Sequence, residues 1–198
     1  MSLTVEKCIQ AWTNSLRQMN AKADLVFIGD SLIYNGDFAS VLPDRVVCNL
    51  GLRGDTLQGL KNRVEQVKLL KPNKVYLMAG INDVASKSVY EFRELYESLI
   101  RMLRVQIPSM ELTVYNMLPV NDIDFTISCN NEQIARYNDE ITSLCIKHGL
   151  RYDDLYAVYE CFGMLPKELT TDGIHLKKEA YHKWYNSLKV HHHNESII

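Results

Sequence analysis

Leu25-Val26-Phe27-Ile28-Gly29-Asp30-Ser31-Leu32 decides the fold. Four apolar residues stand in a row and stop at a glycine and two small polar residues. A run this short and unbroken predicts a strand buried on both faces. Three further runs resemble it: Val46-Val47-Cys48, Val75-Tyr76-Leu77-Met78-Ala79 and Leu112-Thr113-Val114-Tyr115. A fifth, weaker one lies around Leu150-Arg151-Tyr152.

The gaps between these runs change period. Val5, Cys8, Ile9, Trp12 and Leu16 recur at helical spacing, as do Leu57, Leu60, Val64 and Val67. Phe92, Leu95, Tyr96, Leu99 and Leu103 follow Ser88 and Glu91, which are spaced as a capping box. Ile134, Tyr137, Ile141 and Leu144 are bracketed by Asn130 and Gly149 as start and stop signals. Leu176, Ala180, Trp184 and Leu188 form the last stripe. Strand then helix, repeated five times, predicts an α/β fold: a parallel sheet with right-handed crossovers and helices on both faces. No linker or repeat interrupts it, so residues 1–190 are expected to form one domain. Residues 191–198, including His191-His192-His193, are expected to be a loose tail rather than a metal site.

Composition narrows the function. The 198 residues carry 22 Lys plus Arg against 24 Asp plus Glu, a formal charge of −2, with 46% apolar residues. These are globular values, and the charge balance gives no case for nucleic acid. No stretch of 18 apolar residues exists to span a membrane. Met1–Asn20 carries Glu6, Lys7 and Arg17 and lacks the apolar core of a secretion signal, which leans toward a cytoplasmic location. Five cysteines without Cys-x-x-Cys spacing predict reduced, mostly buried thiols. Oligomeric state is not legible in the chain.

In a doubly wound sheet the functional crevice lies beyond the carboxyl ends of the strands. Glycine and polar residues gather there: Gly29-Asp30-Ser31, Asn49…Gly51…Gly54, Gly80-Ile81-Asn82-Asp83 and, before the last helix, Asp172-Gly173-Ile174-His175. His175 has the pKa range of a general base, and Asp172, three residues earlier on a tight turn, can orient its ring. Ser31, at a helix start, is the candidate nucleophile. The Ser31 and Gly54 N–H groups and the Asn82 amide are candidate donors to an oxyanion. Taken singly, each has a plainer reading: Ser31 and Asp172 as helix caps, Gly54 and Asn82 as turn residues. Asp30, Asp55 and Asp83 read as carboxylates bracing turns and loops.

Gly29-Asp30-Ser31-Leu32, Gly51…Gly54-Asp55-Thr56, Gly80-Ile81-Asn82-Asp83 and Asp172-Gly173-Ile174-His175 stand in the order of the blocks of the SGNH-type, GDSL-like esterases and lipases. Over roughly residues 24–188 the chain resembles that family, and within it the platelet-activating-factor acetylhydrolase-like and lysophospholipase branch. The resemblance implies a three-layer α/β/α, flavodoxin-like sandwich around a five-stranded parallel sheet. It implies Ser31 as nucleophile, His175 as base and Asp172 as its partner. It also implies Gly54 and Asn82 as oxyanion donors beside the Ser31 amide. The activity implied is hydrolysis of a small-molecule carboxylic ester, with no cofactor and no metal. A short acyl group such as acetyl, on a sugar or lipid alcohol, is favoured because no long insertion builds an acyl tunnel. Lysophospholipid or thioester substrates are the alternative. Tyr34 and residues 120–128 and 161–169 are the expected pocket walls, and Arg53 is expected to lie solvated.

Other motifs fail on spacing. Ile33 stands where Gly-x-Ser-x-Gly needs its second glycine. Gly54-x-x-x-x-Gly59 lacks the following Lys-Ser/Thr of a phosphate loop. Asp122-x-Asp124-x-Thr126 imitates a phosphotransferase motif but lies far from the first strand. A non-catalytic ligand-binding module on the same scaffold is the reading from outside the enzymes. Tyr152, Tyr156 and Tyr159 follow helical spacing and read as packing.

Overall fold

The computed structural model describes residues 3–195, with side chains for residue 7 and residues 9–189. The side chains of Val5, Cys8 and His191–His193 therefore lie outside the described residues, as do residues 196–198. Five strands, β1 (Leu25–Gly29), β2 (Val47–Gly51), β3 (Lys74–Met78), β4 (Glu111–Tyr115) and β5 (Arg151–Asp153), form one sheet in the order β2-β1-β3-β4-β5. Every pairing is parallel. This is the flavodoxin-like strand order, whose switch point lies between β1 and β3.

Helices cover both faces, giving three layers. On one side lie α1 (Leu3–Met19), α4 (Leu57–Asn62), α5 (Val64–Leu70), α7 (Val89–Gln106) and α8 (Asn131–His148). On the other lie α2 (Ser31–Tyr34), α3 (Phe38–Val41), α9 (Leu155–Tyr159) and α10 (Tyr181–Glu195). The short α6 (Ile81–Val84) follows β3. Side chains alternate across a strand, so each strand feeds two cores. Val26, Ile28, Val75, Leu77 and Val114 enter the first. Leu25, Phe27, Tyr76, Met78 and Tyr115 enter the second. In the second core Phe38 stacks on Phe27 with centroids 3.9 Å apart, Phe27 on Tyr76 at 4.6 Å, and Tyr76 on Tyr115 at 5.7 Å. Trp184 of α10 packs edge-on against Phe38 and Tyr115, each at 5.3 Å. Buried aromatics of this size dominate core energetics, and this ladder fixes α3 and α10 against the sheet.

Caps stand where the spacing expects them. Ser88 and Glu91 form a reciprocal capping box on α7, and α8 starts at Asn130 and stops at Gly149, whose φ is 59°. Four expectations change. The stripe from Leu57 to Val67 is two helices, because the chain bends at Arg63 and turns that side chain inward. The last helix starts at Tyr181 rather than near Leu176, since Leu176 is bridged to Thr170 and a 3-10 turn, Lys178–Ala180, intervenes. It then runs through Glu195, into the stretch expected as a tail; once Trp184 and Leu188 anchor it, each added residue closes another backbone bond. Tyr152 lies on β5 rather than on a helix with Tyr156 and Tyr159. Of the thiols, Cys129 and Cys145 are buried, Cys48 is half-buried and Cys161 is exposed; these four are free.

Candidate active site

The turn from β1 into α2 places Ser31 at the first position of a helix above the centre of the sheet. A Cβ on Gly29 would lie 2.0 Å from the Met78 carbonyl oxygen, so only glycine lets β1 pass β3 this closely here. Asp30 caps α2, its Oδ1 accepting from the Leu32 N–H at 2.9 Å. It is fully buried, and burial pushes its carboxyl up to about 7 against the opposing pull of that N–H. The other end of α2 is held by Asn49, whose amide donates to the carbonyls of Ile33 and Gly36 at 2.7 and 2.9 Å. Tyr181 donates to the Leu32 carbonyl at 2.8 Å. Ser31 is thus mounted on a turn braced from β2 and α10.

The loop before α10 brings His175 to it. Ser31 Oγ lies 2.9 Å from His175 Nε2, and His175 Nδ1 lies 2.6 Å from Asp172 Oδ2. The second oxygen of Asp172 accepts from the backbone N–H of His175 at 2.8 Å and of Ile174 at 3.1 Å. Burial alone would raise the Asp172 carboxyl. The His175 N–H, the imidazole and the Ile174 N–H outweigh it and hold the group below the usual carboxylate range. Gly173, at φ 91°, shapes this turn; a Cβ there would meet the Asn121 carbonyl at 2.8 Å. Asn121 N–H donates to the Gly173 carbonyl at 2.8 Å, tying the turn to the loop after β4. Ser31 is buried, His175 half-buried and Asp172 exposed, so the line of bonds runs from the interior to the surface.

Gly54 and Asn82 follow the strands on either side of β1. Gly54, at φ 71°, is exposed with open space where a side chain would stand. Asn82 donates one amide hydrogen to the Asp55 carbonyl at 2.8 Å, and the second belongs to the same exposed group. Sequence reasoning took Asp55 and Asp83 as braces, and their contacts have that form. Asp83 accepts from the Leu57 N–H at 3.0 Å, and Asp55 from the Thr56 N–H at 3.0 Å. Burial pushes both carboxyls up, opposed at Asp55 by Arg63 and at Asp83 by the Leu57 N–H. Arg63 itself escaped the sequence reading. It sits inside an apolar helical stripe, where an arginine reads as a solvated residue. A helix break at that position is the signal that marks it.

Next to Asp30 and Leu32 a small cavity of about 10 Å³ opens, lined also by Met78, Ile81, Met117, Val120 and Ile174; Ser31, His175 and Asp172 do not line it. Of the expected walls only Val120 takes part; Tyr34 and residues 161–169 stand outside it. Arg53 is not simply solvated: its guanidinium lies 4.9 Å from the Tyr34 ring centre and donates to Asn35 at 2.8 Å. Asp124 accepts from Asn121 at 3.1 Å and Lys167 at 3.3 Å, and Asp122 from Asn131 at 3.2 Å, so both brace their loop. No helix among the described residues is long and apolar enough to cross a membrane.

A parallel α/β/α sandwich that lines up a serine, a histidine and an aspartate at its switch point has the layout of a hydrolase. The model of the GDSL-like Lipase/Acylhydrolase family matches residues 27–183. The chain belongs to that family. Solved structures share its fold. One is a Streptococcus pneumonia protein ascribed to platelet activating factor, at TM-score 0.81 and 23% identity, covering 92% of this chain and 91% of that one. Another is a GDSL-like lipase of Bacteroides thetaiotaomicron, at TM-score 0.73 and 18% identity, covering 91% and 95%. Among curated proteins, the N-acylneuraminate cytidylyltransferase of Streptococcus agalactiae serotype V is 24% identical over 167 residues. That match takes in 83% of this chain, which spans only 37% of the relative's length.

Proposed function

We propose that the chain is a serine esterase that removes short acyl groups, acetyl foremost, from a sugar or lipid alcohol through an acyl-enzyme. The observation that carries this reading is the unbroken line Ser31 Oγ–His175 Nε2 at 2.9 Å and His175 Nδ1–Asp172 at 2.6 Å. His175 takes the hydroxyl proton as Ser31 attacks the ester carbonyl. Asp172 holds the ring in the tautomer with its proton on Nδ1 and offsets the charge of the imidazolium. The Ser31 and Gly54 N–H groups and the Asn82 amide receive the tetrahedral oxyanion. His175 then protonates the leaving alcohol, and water repeats the sequence on the acyl-enzyme.

The preference for a short acyl group rests on the chain's having no long insertion to build an acyl tunnel; the small apolar cavity walled by Leu32, Met117 and Ile174 is one place for a methyl group. The acylated sugar acid in the streptococcal relative's name is one alcohol to test. The deciding experiment is turnover of p-nitrophenyl esters from C2 to C12, with and without a serine-directed phosphonate. The reading expects a maximum at C2, full block by the phosphonate and no block by chelators. A maximum at C8 or longer would remove the acetyl assignment and favour a lysophospholipase or thioesterase. No turnover of any ester would favour a binding module.

A further inference from the structure

We propose that Arg63 is a positioning residue, one buried cation that holds all three oxyanion donors in register. The inference rests on the site reading above and deepens it.

The guanidinium is wholly buried, and it spends its fork on three partners. Nε donates to Asp55 Oδ2 at 2.7 Å. One terminal nitrogen donates to the Leu50 carbonyl at 2.6 Å, and the other to the Gly29 carbonyl at 3.0 Å. Gly29 lies two residues before Ser31, at the end of β1. Leu50 lies in β2, on the path to Gly54. Asp55 is the residue after Gly54, and its own carbonyl takes the Asn82 amide at 2.8 Å. Each donor loop is thereby fastened to Arg63, directly or through Asp55.

Two sequence features acquire a reason. The break between α4 and α5 falls on Arg63, whose φ of −124° leaves the helix and turns the side chain under the sheet's carboxyl edge. Gly59, which mimics the end of a phosphate loop, leaves room for Asp55. A Cβ there would lie 1.9 Å from Asp55 Oδ1, and that oxygen is held by the Thr56 N–H. Lysine at position 63 would keep the charge but lose the fork, so it cannot serve three acceptors in fixed directions.

The test compares Arg63→Lys, Asp55→Asn and Gly59→Ala with wild type on p-nitrophenyl acetate. A phosphonate titration counts reactive sites, and assays are run below each variant's melting temperature. The expected result is kcat per titrated site lower by roughly 10–100-fold with KM within about twofold, the signature of donors misplaced for the transition state alone. On an Asn82→Ala background the same changes should cost less than they do in wild type, because one of the three donors they align is already gone and two remain. If the titre falls while kcat per site stays at wild type, Arg63 is only a packing residue and the proposal fails. Full multiplicative losses on the Asn82→Ala background overturn it as well. Gly59→Ala keeps the test open where a change at Arg63 prevents folding, since it displaces Asp55 and leaves the cation in place. Ser31→Ala, run alongside, separates the two levels: turnover in that variant defeats the site reading itself rather than the bracing.

Discussion

Ser31 Oγ and His175 Nε2 lie 2.9 Å apart across 144 positions of sequence. That contact joins the first residue of α2 to the loop before α10 at the carboxyl edge of the sheet, so it is specified by the fold and by nothing local. It also sets the first prediction. Ser31→Ala should lower kcat on p-nitrophenyl acetate by on the order of 10⁴ or more, and it should abolish labelling by a serine-directed phosphonate. Labelling of a different residue, found by mass spectrometry of digests, would displace Ser31 from the role.

Asp172→Asn probes the histidine's orientation rather than the nucleophile. Asparagine keeps an oxygen for the Ile174 and His175 N–H groups but can present an amide N–H to Nδ1, which favours the wrong tautomer. In buried triads this costs about 10⁴ in kcat. Here the Asp172 side chain is 53% exposed, so water can take over part of its work. The expected loss is about 10²–10³, with labelling by the phosphonate slowed but not abolished. A loss under tenfold would mean that solvent alone orients the ring.

Asn82→Ala tests the proposed oxyanion donor. The loss expected is on the order of 10²–10³ in kcat, with KM nearly unchanged, because the donor acts on charge that develops only in the transition state. Part of any loss would come from the Asp55 carbonyl, which forfeits its partner. Asn82→Asp keeps the side chain's size but donates neither to an oxyanion nor to the Asp55 carbonyl, and should be at least as slow.

The layers, the strand ends and the meeting of Ser31, His175 and Asp172 were legible in the chain, because period-two and period-3.6 patterns report burial directly and the polar blocks follow strands in order. What escaped depends on contacts distant in sequence. Arg63 looks solvated until Asp55, Leu50 and Gly29 are folded around it. Asn49 stands in the sequence only as one polar residue near the second strand's end, yet it ties β2 to the end of α2. The small cavity next to Asp30 and Leu32 is walled by Met117 and Ile174 rather than Tyr34, whose ring centre lies 4.9 Å from the Arg53 guanidinium. The start of α10 was misplaced because Leu176 keeps helical spacing while its backbone pairs with Thr170.

Asp30 predicts a pH dependence of stability. Its carboxyl rises from an ordinary 3.8 to about 7 in the folded chain, burial being the main cause. Between those values the folded chain keeps a proton that the unfolded chain has released. Stability therefore falls as pH rises from about 4 to about 7, by an amount on the order of a few kcal/mol, and this group adds no further slope above that window. Asp30→Asn keeps an acceptor for the Leu32 N–H and removes the titration. In urea unfolding it should match wild type near pH 4 and exceed it at pH 8. A wild type that gains stability from pH 5 to 8, with the variant gaining in parallel, would show that Asp30 is ionised in the fold without penalty.

Met117 tests the acyl preference from the opposite direction. It lines the small cavity next to Asp30 and Leu32, and it is buried. Met117→Ala removes three heavy atoms from that wall without touching Ser31, His175 or Asp172. A methylene placed in an apolar pocket contributes roughly 1–3 kcal/mol to discrimination, about 10–200-fold. The kcat/KM ratio of p-nitrophenyl butyrate to acetate should rise by at least tenfold in the variant, mainly through butyrate. The protein should lose about 2–5 kcal/mol of stability, since a buried methionine leaves a void when truncated. The assay is therefore run well below the variant's melting temperature. An unchanged ratio in a folded variant would mean that the acyl group enters from elsewhere, and the size of this cavity would then say nothing about the substrate.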